Sequence, residues 1–313
     1  MDVTISEVGP RDGLQSIKRT LPTEAKHRWI AALAQAGLRE IEVGSFVSPK
    51  VLPQMADCAE VVAQARKLPG LRIVVLVPNL RYATMAFEAG THVITIPVSV
   101  SEPHSIANIR KNHPEIIAEV GAIVALRNKR FPEIKVETSL STAFGCTIQG
   151  IVPEDDVVRL AAAMADAGSD TINLADTVGY ANPAQVRRLF KLVRAEVGDK
   201  TGGAHLHNTR GQGLANVVAA LDAGVTTFDS SQGGIGGCPY APGATGNIVT
   251  EDLVFLLESM GLDTGVDLDR LIAARAILTE ALPGEALYGH VPAAGLPKGF
   301  TPAAGRGGMR RTA

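Results

Sequence analysis

An α/β fold, a single (β/α)8 barrel of the TIM type with a short C-terminal helical extension and a loose tail, is predicted by three observations. Short β-rich stretches alternate with longer amphipathic ones along all 313 residues. Eight such stretches can be counted. The pair Ala-Gly recurs immediately before the next strand at Ala36-Gly37, Ala89-Gly90, Ala167-Gly168 and Ala223-Gly224, as expected for one βα unit repeated around a ring. Length alone would allow two ordinary domains or one barrel, and the repeat selects the barrel.

The strands are expected to begin near Val3-Thr-Ile-Ser-Glu-Val8, Glu40-Ile-Glu-Val43, Ile73-Val-Val-Leu-Val77 and His92-Val-Ile-Thr-Ile-Pro97. Four more begin near Lys135-Val-Glu-Thr-Ser-Leu140, Thr171-Ile-Asn-Leu174, Ala204-His-Leu-His207 and Thr226-Thr-Phe-Asp229. Helical spacing of apolar residues marks 23–36, 56–67, 114–131, 154–167, 183–196 and 213–223 between them. Gly37, Gly168 and Gly224 stand where a helix C-cap takes left-handed backbone. A further helix is expected over 268–281. The barrel, with a Gly-rich lid loop over 230–247, is bounded at 1–285, and the extension with its disordered tail at 286–313.

Composition excludes several classes. Thirty basic residues against 32 acidic ones, no long block of like charge and 4% aromatics leave no electrostatic footprint for nucleic acid. No apolar run reaches the ~18 residues of a membrane span. The chain opens directly on a strand pattern, and Cys58, Cys146 and Cys238 are too few and scattered for a disulfide framework, so a cytoplasmic location is expected. Small molecules are the expected partners.

His205 and His207 carry the first chemical hint. A strand turns residues i and i+2 to the same side, so both imidazoles can meet one metal ion. Two buried histidines satisfied by core partners are the competing reading. Barrel enzymes place their sites at the C-terminal ends of strands, and the polar residues fall there. Arg11 and Asp12 follow strand one, Glu42 sits late in strand two, and Asp176 follows strand six. His205 and His207 end strand seven, and Cys238 follows strand eight.

These residues lie in recognisable runs: Val8-Gly-Pro-Arg-Asp-Gly-Leu-Gln15, Ser45-Phe-Val-Ser-Pro-Lys50, Pro53-Gln-Met-Ala-Asp57, Ala175-Asp-Thr-Val-Gly179, His205-Leu-His207 and Gly236-Gly-Cys-Pro-Tyr-Ala-Pro-Gly-Ala-Thr-Gly-Asn247. Together they resemble the hydroxymethylglutaryl-CoA lyase family, within the metal-dependent lyase and synthase barrels. The likeness runs from about residue 3 to residue 299. It implies Asp12, His205, His207 and Asn247 as ligands of a divalent cation, Mg²⁺ or Mn²⁺, a mixed oxygen and imidazole set suited to six-coordination. Glu42 would orient a ligand or Arg11.

The implied reaction cleaves a 3-hydroxyacyl-CoA between C2 and C3. Asp176 and His205 are both candidates for the base that takes the hydroxyl proton. Arg11 would stabilise the enolate, with an ion pair to Glu42 or Asp12 as its alternative role. Cys238 would protonate the enolate carbon. By the same resemblance Lys18 and Asn108 would contact the CoA moiety of an acyl-CoA substrate. Gln15, Asn173, Arg210 and Glu251 fall in or beside the substrate pocket, and a helix-capping role competes for Glu251. A homodimer or higher homo-oligomer is expected by analogy.

Some positions depart from the family pattern. Asn208 and Arg210 replace an aspartate and a tyrosine, Gly145-Cys-Thr-Ile-Gln-Gly150 replaces Gly-Cys-Pro-Tyr-Glu-Gly, Glu137 replaces an arginine and Asn173 a serine. Either Arg210 and Glu137 pair across the barrel mouth, or they reshape recognition of the acyl group. Citramalyl-CoA is therefore the alternative substrate to 3-hydroxy-3-methylglutaryl-CoA. A condensing synthase is disfavoured, because only about 60 residues follow Asn247, too few for a regulatory domain.

Overall fold

The computed structural model describes residues 1–236 and 246–305. Eight strands form a closed parallel barrel in sequence order: β1 Thr4–Glu7, β2 Glu40–Ser45, β3 Arg72–Leu76, β4 Val93–Ser99, β5 Lys135–Ser141, β6 Thr171–Ala175, β7 Thr201–His205 and β8 Thr227–Ser230. β1 closes on β8 with Ile5 beside Phe228. The expected barrel is borne out.

Helices α1 Thr23–Gln35, α2 Cys58–Ala65, α3 Leu80–Ala89, α4 Glu102–Ile109, α5 His113–Arg130, α6 Glu154–Asp166, α7 Pro183–Val197 and α8 Gly213–Asp222 connect the strands, α4 and α5 sharing one connection. Four of them, α3, α4, α5 and α7, start where a short polar side chain satisfies an orphan amide. Asn79 accepts from Tyr82 N, and Asn112 forms a reciprocal capping box with Glu115. Period two along each strand sorts the residues. Outward positions such as Ile41, Ile73, Val75, Ile94, Ile96, Val136, Ile172, Leu174 and Phe228 are buried against Trp29, Leu33, Val62, Ala83, Val120, Leu189 and Phe190 of the helices. Inward positions are mostly polar, including Ser6, Glu40, Glu42, Thr95, Ser139, Asn173, His205 and Asp229, and they line a cavity of about 1240 Å³.

After β8 come α9 Thr250–Ser259, α10 Leu268–Ala281 and α11 His290–Ala294. The extension is tied down. Asp252 accepts from the His290 and Val291 amides at 2.9 and 2.8 Å, and Glu258 accepts from Ala303 N. Ala286 and Tyr288, placed beyond the barrel by sequence, line its cavity. Of the expected loose tail, 306–313 lies outside the described residues.

Candidate metal centre and acyl-CoA site

The segment after β1 builds the first part of the site. Gly9–Gly13 forms a single π-helical turn, in which Val8 O receives the amides of Arg11, Asp12 and Gly13. This turn brings Arg11 and Asp12 to the cavity wall. Gly236 takes φ +103°, and a Cβ there would come within 2.9 Å of Gly13 Cα and 3.0 Å of Asn247 Nδ2. Glycine is thus what lets the end of the β8 loop pack on the Asp12 turn.

β7 ends at His205, and His207 continues beyond it in an antiparallel bridge with Asn247. The alternation persists through that step. His205 Nε2 and His207 Nε2 lie 3.1 Å apart, and Asp12 Oδ2 is 4.0 Å from the first and 3.9 Å from the second. One ligand atom from each of Asp12, His205 and His207 falls within 4.8 Å of the others. Asn247 Nδ2 donates to Asp12 Oδ2 at 2.7 Å.

A divalent cation fits these residues. Among the described residues Asn247 Oδ1 and His207 Nδ1 are buried without a hydrogen-bond partner, so His207 is not a fully satisfied core histidine. Two imidazoles close enough to crowd their nitrogens, a carboxylate and an orphaned amide oxygen form a donor set that a cation would satisfy. Burial opposes ionisation of Asp12, but Arg11 and the two histidines hold its carboxyl below the usual range. Burial and the neighbouring His205 lower His207 to about 4, leaving it neutral as a ligand must be.

Partners found only in three dimensions hold this set. His205 Nδ1 lies 3.0 Å from Asp229 Oδ2 on β8, which aims Nε2 at the other ligands. Sequence reasoning missed Asp229; its inward register on the strand beside His205 was the available signal. We expect Asp229→Ala to weaken Mn²⁺ affinity by roughly 10–100-fold, read by calorimetry; unchanged affinity would remove Asp229 from the centre. Arg11 is shared, with Nε 2.6 Å from Glu42 Oε2 and Nη1 2.5 Å from Asp12 Oδ1. Gln15 Nε2 also donates to Asp12 Oδ1, at 3.0 Å.

The remaining expected site residues separate into two groups. Gln15, Asn108 and Asn173 line the cavity, and Lys18 is exposed next to its wall residue Ile17. Asp176 is buried just behind the wall between lining residues Ala175 and Thr177, accepting from Tyr180 N and Ala181 N. Burial raises its pKa to about 6. Glu251 is fully buried away from the cavity. It accepts from Arg275 at 2.6 Å and from Gly233 N, while Arg275 also binds Tyr288 O, so Glu251 braces the base of the loop. Cys238 lies outside the described residues.

Glu137 and Arg210 do not pair, which removes the first of the two alternatives for these positions. Glu137 accepts from Asn173 Nδ2 at 3.1 Å and faces Arg72 at 3.4 Å, low in the barrel. Arg210 stacks 4.6 Å over the Tyr180 ring and donates to Val178 O and Gly179 O. The depth difference explains it: Glu137 is early in β5, whereas Arg210 follows β7 at the opposite end.

A parallel (β/α)8 barrel with a cluster that could hold a cation at the C-terminal ends of its strands has the architecture of a barrel enzyme with a metal-binding site. The comparisons narrow this. Residues 2–278 match the HMGL-like family. Hydroxymethylglutaryl-CoA lyase of Bacillus subtilis is 41% identical over 283 residues, 90% of this chain and 93% of that protein. The Bacillus subtilis HMG-CoA lyase crystal structure superposes with a TM-score of 0.89 at 39% identity, covering 93% of this chain and 97% of that one. An HMG-CoA lyase from Acinetobacter baumannii in complex with coenzyme A and 3-methylmalate gives 0.89 at 38% identity, covering 96% and 97%. The chain belongs to the HMGL-like family. Among the described residues, no helix is long and apolar enough to cross a membrane.

Proposed function

We propose that this protein is a divalent-metal-dependent lyase that cleaves a 3-hydroxy-3-methyl acyl-CoA, with 3-hydroxy-3-methylglutaryl-CoA giving acetyl-CoA and acetoacetate as the leading case. The observation that carries this is the Asp12, His205, His207 cluster with the unsatisfied Asn247 Oδ1, set in a cavity that Asn108 and Gln15 also line. Mg²⁺ or Mn²⁺ held there would bind the substrate hydroxyl and distal carboxylate and ease loss of the hydroxyl proton.

The chain's own groups supply the rest. Nδ1 of His205 faces Asp229 and its Nε2 the ligand cluster, while Asp176 lies behind the cavity wall with its oxygens accepting the Tyr180 and Ala181 amides, so both stay candidates for the base. At a pKa of about 6, Asp176 is ionised at neutral pH and able to accept the proton. Arg11, locked by Glu42 and Asp12, presents a fixed positive charge to the thioester oxygen as the C2–C3 bond breaks. Cys238 then delivers a proton to C2. Lys18 and Asn108 hold the CoA portion at the rim.

A second substrate reading rests on Glu137 and Asn173, two departures from the family pattern that both line the cavity and hydrogen-bond each other. Citramalyl-CoA, also a 3-hydroxy-3-methyl acyl-CoA, is that alternative. The test incubates purified protein with Mg²⁺ and a panel of branched 3-hydroxyacyl-CoA thioesters, following acetyl-CoA and the matching keto acid. Absence of cleavage across the panel overturns the lyase reading, and the best substrate decides the acyl group. Cys238→Ser is expected to lower kcat by about 10²–10⁴-fold, the range of general acid catalysis, while Mn²⁺ binding stays intact. Wild-type turnover in that variant would exclude Cys238 as the acid.

A further inference from the structure

α4 opens directly after β4, with Ser101 as its N-cap, and carries a histidine that no part of the proposed mechanism uses. His104 is 4% exposed, lines the cavity that contains Asp12, His205 and His207, and has Nδ1 2.7 Å from Ser99 Oγ at the end of β4. Asn108, four residues on and therefore on the same helix face, lines the cavity too but is exposed. In a closed ring of eight strands β4 stands half a turn from β8, so this face of α4 looks across the cavity at the centre built from β1, β7 and β8.

We propose that His104 is a catalytic residue that hydrogen-bonds the thioester carbonyl of the bound acyl-CoA, on the side away from the metal ligands, and so shares with Arg11 the charge that develops on that oxygen. The inference rests on the lyase reading above. With hydroxyl and carboxylate held at the ligand cluster and the CoA chain leaving past Asn108, the thioester is the polar group between them. His104 is the buried polar side chain that α4 contributes to that stretch of wall. The 2.7 Å contact lets the Ser99 hydroxyl donate to Nδ1, and in that tautomer the ring proton sits on Nε2. Burial lowers the imidazole pKa, so the ring stays a neutral donor. A neutral donor stabilises an enolate without giving up its proton, which keeps C2 as the atom that is protonated.

The test uses wild type, His104→Phe, His104→Gln and Ser99→Ala, with two readouts. One is kcat and KM on the best 3-hydroxyacyl-CoA. The other is exchange of the acetyl-CoA methyl protons with D2O, followed by NMR in the presence of Mg²⁺, which needs the thioester enolate but no distal carboxylate. His104→Phe is expected to lower kcat and exchange together by about 10²-fold, the effect of losing one oxyanion donor, with Mn²⁺ affinity unchanged. His104→Gln, which restores an N–H at similar reach, should recover part of both, and Ser99→Ala should fall between. Unchanged kcat and exchange in His104→Phe overturn the proposal. So does a rise in KM alone, which would place His104 against CoA away from the thioester. Wild-type protein that exchanges acetyl-CoA protons yet cleaves no panel member would defeat the lyase reading, while exchange in the variants would still decide the role of His104.

Discussion

His207→Ala is expected to abolish both metal binding and turnover. The substitution removes one of two imidazoles whose Nε2 atoms lie 3.1 Å apart and within 4.0 Å of Asp12 Oδ2. Losing a partner of a ligand costs roughly 10–100-fold in affinity or activity, and losing the ligand itself should exceed that in both. Mn²⁺ titration and acetyl-CoA release on the same preparation check it. The fold should hold, because His207 lies past the end of β7 and the barrel ladder does not depend on it. A His207→Ala variant that retains Mg²⁺-dependent turnover would refute the ligand set.

The second large effect concerns Glu7, a carboxyl with no exposure and, among the described residues, no cation paired with it. Its Oε1 accepts from Gly9 N and Gln232 N, both at 2.9 Å, and its Oε2 lies 2.6 Å from Thr250 Oγ1. Gln232 in turn accepts from Trp29 Nε1 and donates to Leu271 O. One carboxyl therefore joins the Asp12 turn, the loop after β8 and the start of α9. Burial pushes it up to about 8, so it folds protonated. Glu7→Ala strands two buried amides and opens a cavity, a loss of about 3–5 kcal/mol. Glu7→Gln keeps an acceptor for the amides and a donor for Thr250.

The pH dependence follows from the raised pKa. Between the ordinary glutamate value and about 8 the folded chain binds a proton that the unfolded chain has released. Stability from this group is complete below that ordinary value and falls by about 1.4 kcal/mol per pH unit towards 8. Urea midpoints from pH 5 to 9 should therefore decline more steeply in wild type than in Glu7→Gln, which keeps the raised carboxyls of Glu42, Glu137 and Asp176, with the variant the more stable of the two at pH 9. Parallel pH profiles for the two proteins would show that Glu7 is ionised in the native state.

Much of the site was legible because barrel geometry converts linear order into position. Arg11, Asp12, His205, His207 and Asn247 each follow or end a strand, and all strand ends of one polarity meet at one face. Glu251 was legible only as a carboxylate at the start of a helix. Its partner Arg275 lies on α10 and reaches it through the fold, so no local spacing announces the pair. His104 was passed over for the same reason: a histidine in a short helix after β4 shows its value only once α4 is seen to border the cavity.

By itself, the sequence determined the (β/α)8 ring, the polarity of its face and the residues that gather there. Those follow from period two in strands, period 3.6 in helices and the repeated Ala-Gly stop, all local properties. Tertiary structure alone decided which groups pair. It gave His205 to Asp229, Glu251 to Arg275, Glu137 to Arg72 and Asn173, and Arg210 to the Tyr180 ring. A period specifies the face a side chain occupies, whereas a hydrogen bond also needs depth along the barrel axis, and that depth is set by register between strands distant in sequence.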